Sequence, residues 1–532
     1  MPDAPRPRRF GGALAVGAGI FLSRIAGLVR SRAIAHYLGQ GAPTDAYNAA
    51  LRIPNVLQNL LGEGVLSASF IPVYARLVAE GKHEEASRVA RAIGTLLALV
   101  ATVITLAGVL AAPTLVDLLV PGYAPSTRAL TISLVRIAFP GVALLVLSAW
   151  CLGVLNSHRK FFLSYVSPVL WNAAIISATI VAGRRLAGHD DDIATWIAWG
   201  ALIGSAAQFL VQLPTVIALL RGITPSLDFR RPGVRATLRA FGPVLLGRGS
   251  VQLSAFIDGL LVSYLGAGFY TAMMNAQILY MLPISLFGMA VSAAELPEMS
   301  SALGDDAARR EHLQKRLQPA LRQVVFLVVP SAVAFVAIGG PIVALRFQTG
   351  RFSAADTHVV WMMLAGSAIG LSAGTQGRLL GSAFYALGDP KPPLHAALVR
   401  VAITGALGYA FALPVREWAG YSAEWGAFGL TASAGGAAWI EFLLLKHWLG
   451  KRIGTVPVPG RLGLGALAVS LVAGAAGYGA AHLASSLDAK TWVVSLAAIA
   501  MFGVVYLGAM SIAGVREAGA FTRRLPFLRR RR

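Results

Sequence analysis

About fourteen apolar stretches, each long enough to cross a lipid bilayer, divide the chain of 532 residues. No water is available in the hydrocarbon region, so each crossing segment must close its backbone hydrogen bonds within a helix. The chain is 56% hydrophobic and only 13% charged, which excludes an ordinary soluble protein. The sequence therefore predicts an all-α integral membrane protein. Its predicted helices are near residues 11–37, 44–76, 90–120, 128–156, 161–183, 192–220, 234–264, 268–299, 319–344, 355–387, 392–413, 423–448, 461–484 and 491–514.

The basic residues predict how the chain is oriented. There are 46 Lys and Arg against 24 Asp and Glu, but most of the cations lie in alternate short loops and at the two ends. Such a distribution is typical of the positive-inside rule, so these loops and both termini are expected in the cytoplasm. Because the excess of Lys and Arg is explained by these topology signals, it does not indicate a nucleic-acid partner. The first ten residues, MPDAPRPRRF, read as a retained basic flank because no cleavage site follows them.

Weak internal similarity predicts two tandem bundles of six helices. Three pairs of segments align at a nearly constant offset, which corresponds to about six spans. They are 62–89 with 288–313, 119–130 with 347–359, and 153–168 with 382–397. Bundles with an even number of spans are parallel repeats related by an axis along the membrane normal, with a central cavity between them. The predicted division is residues 1–222, 223–450 and 451–532, the last containing two extra helices and a basic tail.

Ionisable residues are concentrated in the first two spans. Such groups are costly within a bilayer, so they are expected to line a cavity and bind something. Because most of them are arginines, whose planar guanidinium matches phosphate oxygens, the predicted ligand is an anion, above all a phosphate. The acids either hold the arginines until the ligand arrives or only balance their charge. The residues are Arg24, Arg30, Arg32, Asp45, Arg52 and Glu63.

Prolines and glycines interrupt the second span and its repeat partner. The residues are Pro54, Gly62, Gly64 and Pro72, and then Pro283, Gly288 and Pro297. Such interruptions are tolerated where backbone lines a cavity, and they supply bending points. The alternative is that small residues simply let helices pack closely.

Three segments, SRIAGLVR, GAPTDAYNAALRIPN and GEGVLSASFIPVYA, resemble the hallmark segments of the MurJ/MviN lipid II flippase family. This family is part of the multidrug/oligosaccharidyl-lipid/polysaccharide exporter superfamily. The resemblance runs from Ser23 through the GDPKPP loop. It implies transport of lipid II, the undecaprenyl-pyrophosphate-linked peptidoglycan precursor, from the inner to the outer leaflet of the bacterial cytoplasmic membrane by alternating access. Membrane lipids and cell-wall synthases are the further candidate partners, and the sequence does not reveal whether synthases dock on the cytoplasmic loops.

Site residues follow from the resemblance position by position. Arg24 and Arg30 match cavity arginines of the first helix, and Asp45 and Glu63 match acidic positions of the second. Arg52 and Asn55 match positions of the RIPN turn, and Arg378 matches a basic position in the tenth helix. The sequence departs from the family pattern at Ser31, Gln58 and Gln277-Ile278.

The departure at Ile278 removes a cation that relatives carry in the second lobe. Arg248, in the preceding helix, is the candidate replacement, and Arg32 is the candidate replacement for the cation missing at Gln58. The resemblance also implies a sodium site. Asp258 and Asp389 are its candidate oxygen donors, with Thr404 as a third; alternatively, Asp389 caps the turn before Pro390.

Three functions compete at this point, and lipid II transport is favoured. A superfamily exporter of another polyprenyl-linked glycan or of a drug is the second reading, although a drug exporter favours an acidic cavity over an arginine-rich one. A polyprenyl-phosphate glycosyltransferase or polymerase is the third; it requires a catalytic acid on a sizeable external loop, and the loops are short. No phosphate-binding loop, nucleophile elbow or zinc-spaced His/Cys cluster is recognisable.

Overall fold

The computed structural model describes residues 9–222, 224–301, 306–456 and 458–522, and the regular structure in these ranges is helical. This confirms the predicted all-α class. A π-helical turn, Ile284–Met289, joins the tenth helix to the eleventh. The helices are α1 (Arg9–Leu38), α2 (Ala42–Leu61), α3 (Glu63–Ala79), α4 (His83–Leu110), α5 (Ala112–Leu119), α6 (Pro125–Ser157), α7 (Phe161–Arg185), α8 (Asp190–Leu219), α9 (Pro232–Ser263), α10 (Phe269–Pro283), α11 (Ala290–Ser300), α12 (Asp306–Ala337), α13 (Gly339–Phe347), α14 (Ala354–Ala386), α15 (Lys391–Ala412), α16 (Pro414–Ala419), α17 (Ala423–Ile453), α18 (Gly460–Ser486), α19 (Thr491–Ile512) and α20 (Arg516–Thr522).

Helices are found at all fourteen predicted spans. Within the described residues, 12 helical stretches are long and apolar enough to cross a membrane. The other two predicted spans coincide with α1 and α9, which have 30 and 32 residues and therefore also have the necessary length. The observed helices are thus compatible with fourteen crossings.

The second span is broken at Gly62, where α2 ends and α3 begins. The backbone of Gly62 leaves the helical region, with φ −92° and ψ −140°, and a Cβ there would collide with the carbonyl oxygen of Gln58. Pro54 and Pro72, in contrast, lie inside helices, so they are not breaks. Membrane helices tolerate proline because neighbouring groups satisfy the freed backbone carbonyl.

The corresponding span of the repeat is deformed at the matching place. The π-helical turn follows Pro283 and contains Gly288, whose missing Cβ makes room for the side chain of Thr375. Pro297 lies inside α11 and does not end it. Both halves of the chain therefore have an irregular second span, and each irregularity contains a glycine whose position would not admit a Cβ without rearrangement.

Short helices also recur at the predicted spacing. α5 has 8 residues and α13 has 9, and each precedes a helix of 33 residues, α6 or α14. α5 begins at Ala112 and α13 at Gly339, 227 residues later. This separation agrees with the offset between the paired segments of the sequence repeat.

Packing divides the chain into two compact units, Met1–Ser263 and Tyr264–Arg532. α9, which the sequence division assigns to the second lobe, contacts α2, α3, α4 and α5 and so packs with the first unit. The division at residues 222 and 450, as a statement about repeats, stays a prediction.

Each unit has its own apolar core. In the first unit, α3, α4 and α6 enclose Phe70, Tyr74 and Trp150, and the Trp150 indole donates a hydrogen bond to the carbonyl oxygen of Ala90. In the second unit, α12, α18 and α19 enclose Phe326 and Tyr506, and the Tyr506 hydroxyl donates to the Phe326 carbonyl oxygen at 2.6 Å. Even the polar ends of these aromatic rings are satisfied inside the bundles.

Candidate functional site

A polar stripe on α2 contains three of the predicted site residues. Asp45, Arg52 and Asn55, together with Asn48, follow each other at intervals of three or four residues, so they lie on one face of the helix. On the other faces, Ala46, Tyr47, Ala49 and Ala50 are buried. The helix is therefore amphipathic, with its charged and amide side chains on one face.

Exposure increases along this stripe. Asp45 is buried, Asn48 and Arg52 are half-buried, and Asn55 is exposed. Asp45 lies in the first turn of α2, where the helix dipole favours a carboxylate. The hydroxyl of Tyr123 donates to the backbone carbonyl of Asp45 at 3.3 Å and thereby ties this end of α2 to the loop before α6. The buried acid and the more accessible arginine are thus two turns apart on one face.

Arg30 of α1 has a different environment. Its guanidinium carbon lies 4.7 Å from the centre of the Trp171 ring on α7, and the arginine also interacts electrostatically with Tyr47 of α2. Tyr47 belongs to the buried face of α2, away from the polar stripe. The structure therefore places Arg30 between α1, α2 and α7, where its charge rests on an aromatic face.

The remaining candidates of the first unit are distributed as follows. Arg24 and Arg32 are exposed on α1. Glu63 begins α3 directly after the break, and Arg248 lies in α9, but their side chains are outside the described part of the structure. Their roles, including the replacement of a missing cation by Arg248, stay predictions.

The second unit contains an ionic cluster that includes Arg378. This arginine is exposed on α14. Near it, Arg400 of α15 and Glu441 of α17 form an ion pair, with 3.1 Å between Nη1 and Oε2. Tyr280 of α10 interacts electrostatically with all three of these residues. Sequence reasoning missed Arg400, Glu441 and Tyr280, although charged residues within apolar spans were a signal for the first two.

Two of the three candidate sodium ligands, Asp389 and Thr404, lie far apart, and the role of Asp258 stays a prediction. The Asp389 carboxylate accepts a hydrogen bond from Arg452 at 2.8 Å and a second from the backbone nitrogen of Lys391 at 3.3 Å. Thr404 is buried, thirteen residues into α15, which is about 20 Å along the helix axis. Asp389 and Thr404 are therefore too far apart to bind the same ion, and Asp389 instead caps the turn and pairs with Arg452.

Sequence reasoning also missed a buried polar network in the first unit. The side-chain nitrogen of Gln212 lies 2.6 Å from the hydroxyl oxygen of Ser148 and 2.9 Å from that of Ser167. These residues belong to α8, α6 and α7, so the network joins three membrane helices. Its members are ordinary polar residues in apolar runs, and only the packing of the helices reveals that they meet.

Together, the membrane-spanning helices, the irregular second span of each half and the ionic groups within the bundles define a polytopic membrane protein of transporter type. Comparison with known proteins then gives its family. The model of the family "Lipid II flippase MurJ" matches residues 34–503. The chain belongs to this family.

Relatives and solved structures agree with this assignment. The lipid II flippase MurJ of Burkholderia cenocepacia is 32% identical over 455 residues, covering 84% of this chain and 85% of the relative. A probable lipid II flippase MurJ of Bdellovibrio bacteriovorus is 32% identical over 447 residues, 82% of each chain. A structure of lipid II flippase MurJ in an inward closed conformation has a TM-score of 0.74 at 22% identity, covering 94% of this chain and 98% of that one.

A more distant structure shares the fold. An inward-facing multidrug resistance MATE family transporter of the MOP superfamily has a TM-score of 0.63 at 17% identity and covers 83% of this chain. This likeness concerns the fold alone, whereas the family match separates the chain from the drug exporters of the superfamily.

Proposed function

We propose that this protein is a lipid II flippase, which moves the undecaprenyl-pyrophosphate-linked peptidoglycan precursor from the inner to the outer leaflet by alternating access. The observation that carries the proposal is the match to the lipid II flippase MurJ family over residues 34–503. A lipid headgroup changes sides without a change of covalent bonds, so transport requires binding groups and mobile helices rather than a catalyst.

The charged groups of the first unit suit a diphosphate. Guanidinium groups remain protonated in a low-dielectric environment and donate forked hydrogen bonds to phosphate oxygens. Arg52 lies on the polar face of α2, and Arg30 rests on Trp171 in the described structure rather than on a carboxylate. The N–H groups of Arg30 are thus available to a ligand. Asp45, buried on the same face as Arg52, supplies compensating negative charge.

The irregular spans supply the required flexibility. An alternating-access transporter must change which side of the membrane reaches its binding site, and broken helices are common hinges in such proteins. The break at Gly62 and the π-helical turn Ile284–Met289 are the two candidate hinges. Bending at these points would cost less than bending a continuous helix, because the regular hydrogen-bond pattern is already interrupted there.

The proposed location is the bacterial cytoplasmic membrane, with both termini in the cytoplasm. Two cationic loops support this orientation. One is His158–Lys160, which follows α6, and the other is the loop between α17 and α18, which begins at Gly454 directly after Lys451 and Arg452. Docking of cell-wall synthases on these cytoplasmic loops is part of the same proposal.

Complementation tests the function. A bacterium depleted of its own lipid II flippase is supplied with this chain, and growth is measured together with the amount of lipid II on each leaflet. The unmodified chain should restore growth and externalise lipid II. Arg52→Ala should reduce externalisation roughly tenfold or more, because a hydrogen bond between charged groups contributes about 1.5–3 kcal/mol.

Arg88→Ala is the matched control. Arg88 is also a helical arginine of the first unit, but it is exposed and pairs with Glu84 one turn away. Its loss should leave growth unchanged. If the unmodified chain is produced in the membrane and lipid II still accumulates on the inner leaflet, the proposed function is wrong.

A further inference from the structure

The ionic cluster of the second unit lies deep within the membrane-spanning helices. Arg400 is nine residues from the start of α15, about 14 Å along its axis, and Glu441 is twelve residues from the end of α17, about 18 Å. Both distances place the pair near the middle of a hydrocarbon layer about 30 Å thick. Ionisable residues at such depth are rare and mark functional sites by default.

The ion pair is only partly covered. The side chain of Glu441 is 16% exposed, whereas that of Arg400 is 35% exposed. Arg378 is exposed on α14, and no carboxylate of the described residues lies within salt-bridge distance of it. The cluster therefore presents two accessible guanidinium groups and one largely covered carboxylate, a net charge of one positive unit.

The hydroxyl of Tyr280 reaches the same place. A Cβ built on Gly374 of α14 would lie 3.8 Å from the Tyr280 hydroxyl oxygen and 3.9 Å from the Cβ of Ala438 on α17. Gly374 is one turn from Arg378, and Ala438 is one turn from Glu441. The phenol thus reaches the seam between α14 and α17 beside the charged groups.

This combination of groups matches the chemistry of a phosphate. Two forked cationic donors and a hydroxyl donor satisfy the oxygens of a phosphoryl group, whereas a cation would find only one carboxylate. In the absence of a ligand, Glu441 compensates the charge of Arg400, which would otherwise be costly to keep in the membrane. An incoming phosphate competes with Glu441 for the same guanidinium.

We propose that Tyr280, Arg378 and Arg400 form an anion site of the second unit that takes a phosphate group, with Glu441 as the resident counterion that the phosphate displaces. Two sources carry this chemistry, the diphosphate of lipid II and the headgroup phosphate of an anionic phospholipid. The first source rests on the proposed function and gives the second unit its own contact with the substrate, a role that the cation missing at Ile278 leaves open.

Binding to the purified full chain tests the proposal. The protein is held in dodecyl maltoside micelles, which contain no phosphate, and is titrated separately with inorganic pyrophosphate, lipid II and phosphatidylglycerol. Arg400→Gln should weaken binding about tenfold, as expected for the loss of a charged hydrogen bond. Glu441→Gln should strengthen binding severalfold because it removes the competing carboxylate. Tyr280→Phe should weaken binding less than Arg400→Gln does.

Arg400→Gln and Glu441→Gln are expected to change the binding affinity in opposite directions, which distinguishes a displaceable counterion from a purely structural ion pair. If the pair only supports the fold, both substitutions lower the melting temperature and neither improves binding. Arg88→Gln and Glu84→Gln, in the exposed pair of α4, are the matched controls and should change no affinity. If Arg400→Gln does not fold, Arg400→Lys and the gain expected for Glu441→Gln still decide the question.

The three ligands separate the sources. If the substitutions change the affinity for pyrophosphate and lipid II, the site belongs to the substrate. If they change the affinity for phosphatidylglycerol alone, the site belongs to membrane lipid. Both results support a phosphate site. No response with any ligand, or weaker binding in Glu441→Gln, overturns the proposal. Failure of the unmodified chain in the complementation experiment contradicts the proposed function but leaves a pyrophosphate response intact.

Discussion

At the scale of single residues, Trp171 is a rigid support for Arg30. The indole nitrogen donates a hydrogen bond to the carbonyl oxygen of Ala201 on α8 at 3.1 Å. Gly204, one turn further on α8, leaves room for the backbone of Trp171, since a Cβ there would lie 2.9 Å from its carbonyl oxygen. The ring is thus fixed from α8, and the guanidinium of α1 rests on it.

Trp171→Leu should therefore impair transport without removing any charge. A cation–π contact contributes about 1 kcal/mol, so the initial rate of lipid II externalisation should fall roughly fivefold at equal protein level. Trp171→Phe, which keeps an aromatic face but loses the hydrogen bond to Ala201, should have an intermediate rate. Equal rates for Trp171→Leu and the unmodified protein would show that the contact does not position Arg30.

His158 makes the first unit sensitive to acid. This residue follows α6, and its Nε2 lies 2.9 Å from the hydroxyl oxygen of Tyr74. Burial lowers the pKa of His158, and the nearby His83 and Lys160 lower it further. Because the folded protein then holds the proton less tightly than the unfolded chain, the stabilisation is complete above the ordinary pKa near 6.5 and is lost as the pH falls through the lowered value.

We accordingly expect the melting temperature in detergent to fall between pH 7.5 and pH 5. In His158→Gln this fall should be smaller, since the titrating group is gone. His482→Gln, at an exposed position on α18, should retain the full pH dependence. An identical fall in His158→Gln would exclude this histidine as the cause.

Only some of the candidate site residues were predictable from the sequence. Arg30, Asp45 and Arg52 were recognisable because ionisable groups are rare in apolar spans. Trp171 and Tyr280 were not, because their roles depend on which helices become neighbours. The pairing of Asp389 with Thr404 was wrong for a similar reason: the two residues are close in sequence, but the helix between them separates them in space.

At the scale of helices, α14 and α17 pack unusually closely. Gly435 of α17 faces Gly370 of α14, and a Cβ on Gly435 would lie 2.8 Å from the backbone nitrogen of Gly370. Small residues at such a contact let two membrane helices approach and gain dispersion energy, because the bilayer supplies no hydrophobic driving force between them. The closeness of this pair also holds Arg378 and Glu441 near each other.

Two adjacent glycines test this packing. Gly435→Ala should lower the free energy of unfolding by about 1–3 kcal/mol, the usual cost of overpacking, and the melting temperature should fall accordingly. Gly436→Ala is the control, since a Cβ at that position meets no atom within 4 Å, and it should leave stability unchanged or slightly higher. Equal stability of the two variants would contradict the close contact between α14 and α17.

The helices themselves were largely predictable, since the length of an apolar run determines whether it can span the membrane. Their irregularities were less so. Gly62 does divide the second span, but Pro54 and Pro72 lie inside helices, and membrane helices tolerate proline where neighbouring groups satisfy the freed carbonyl. Close packing through small residues is seen elsewhere, between Gly370 and Gly435.

At the scale of the whole molecule, sequence repeats and compact units are different properties. The repeat offset reappears in the short helices α5 and α13, yet α9 packs with the first unit rather than with the second. Similar segments predict a repeat of two halves, whereas packing also depends on where a connecting helix finds an apolar surface. The orientation in the membrane is a third property, which the loop charges predict independently of packing.

The single cysteine makes this orientation measurable. Cys151 is buried, so Cys151→Ser should give a functional chain without thiols. In that background, Lys490→Cys lies between α18 and α19, and Thr455→Cys lies between α17 and α18, at exposed positions separated by one predicted crossing. Because the cations around Thr455 should keep its loop in the cytoplasm, an impermeant maleimide should label Lys490→Cys in intact spheroplasts and Thr455→Cys only after permeabilisation. If Thr455→Cys alone is labelled in intact spheroplasts, the proposed orientation is reversed. If both variants are labelled there, α18 does not cross the membrane.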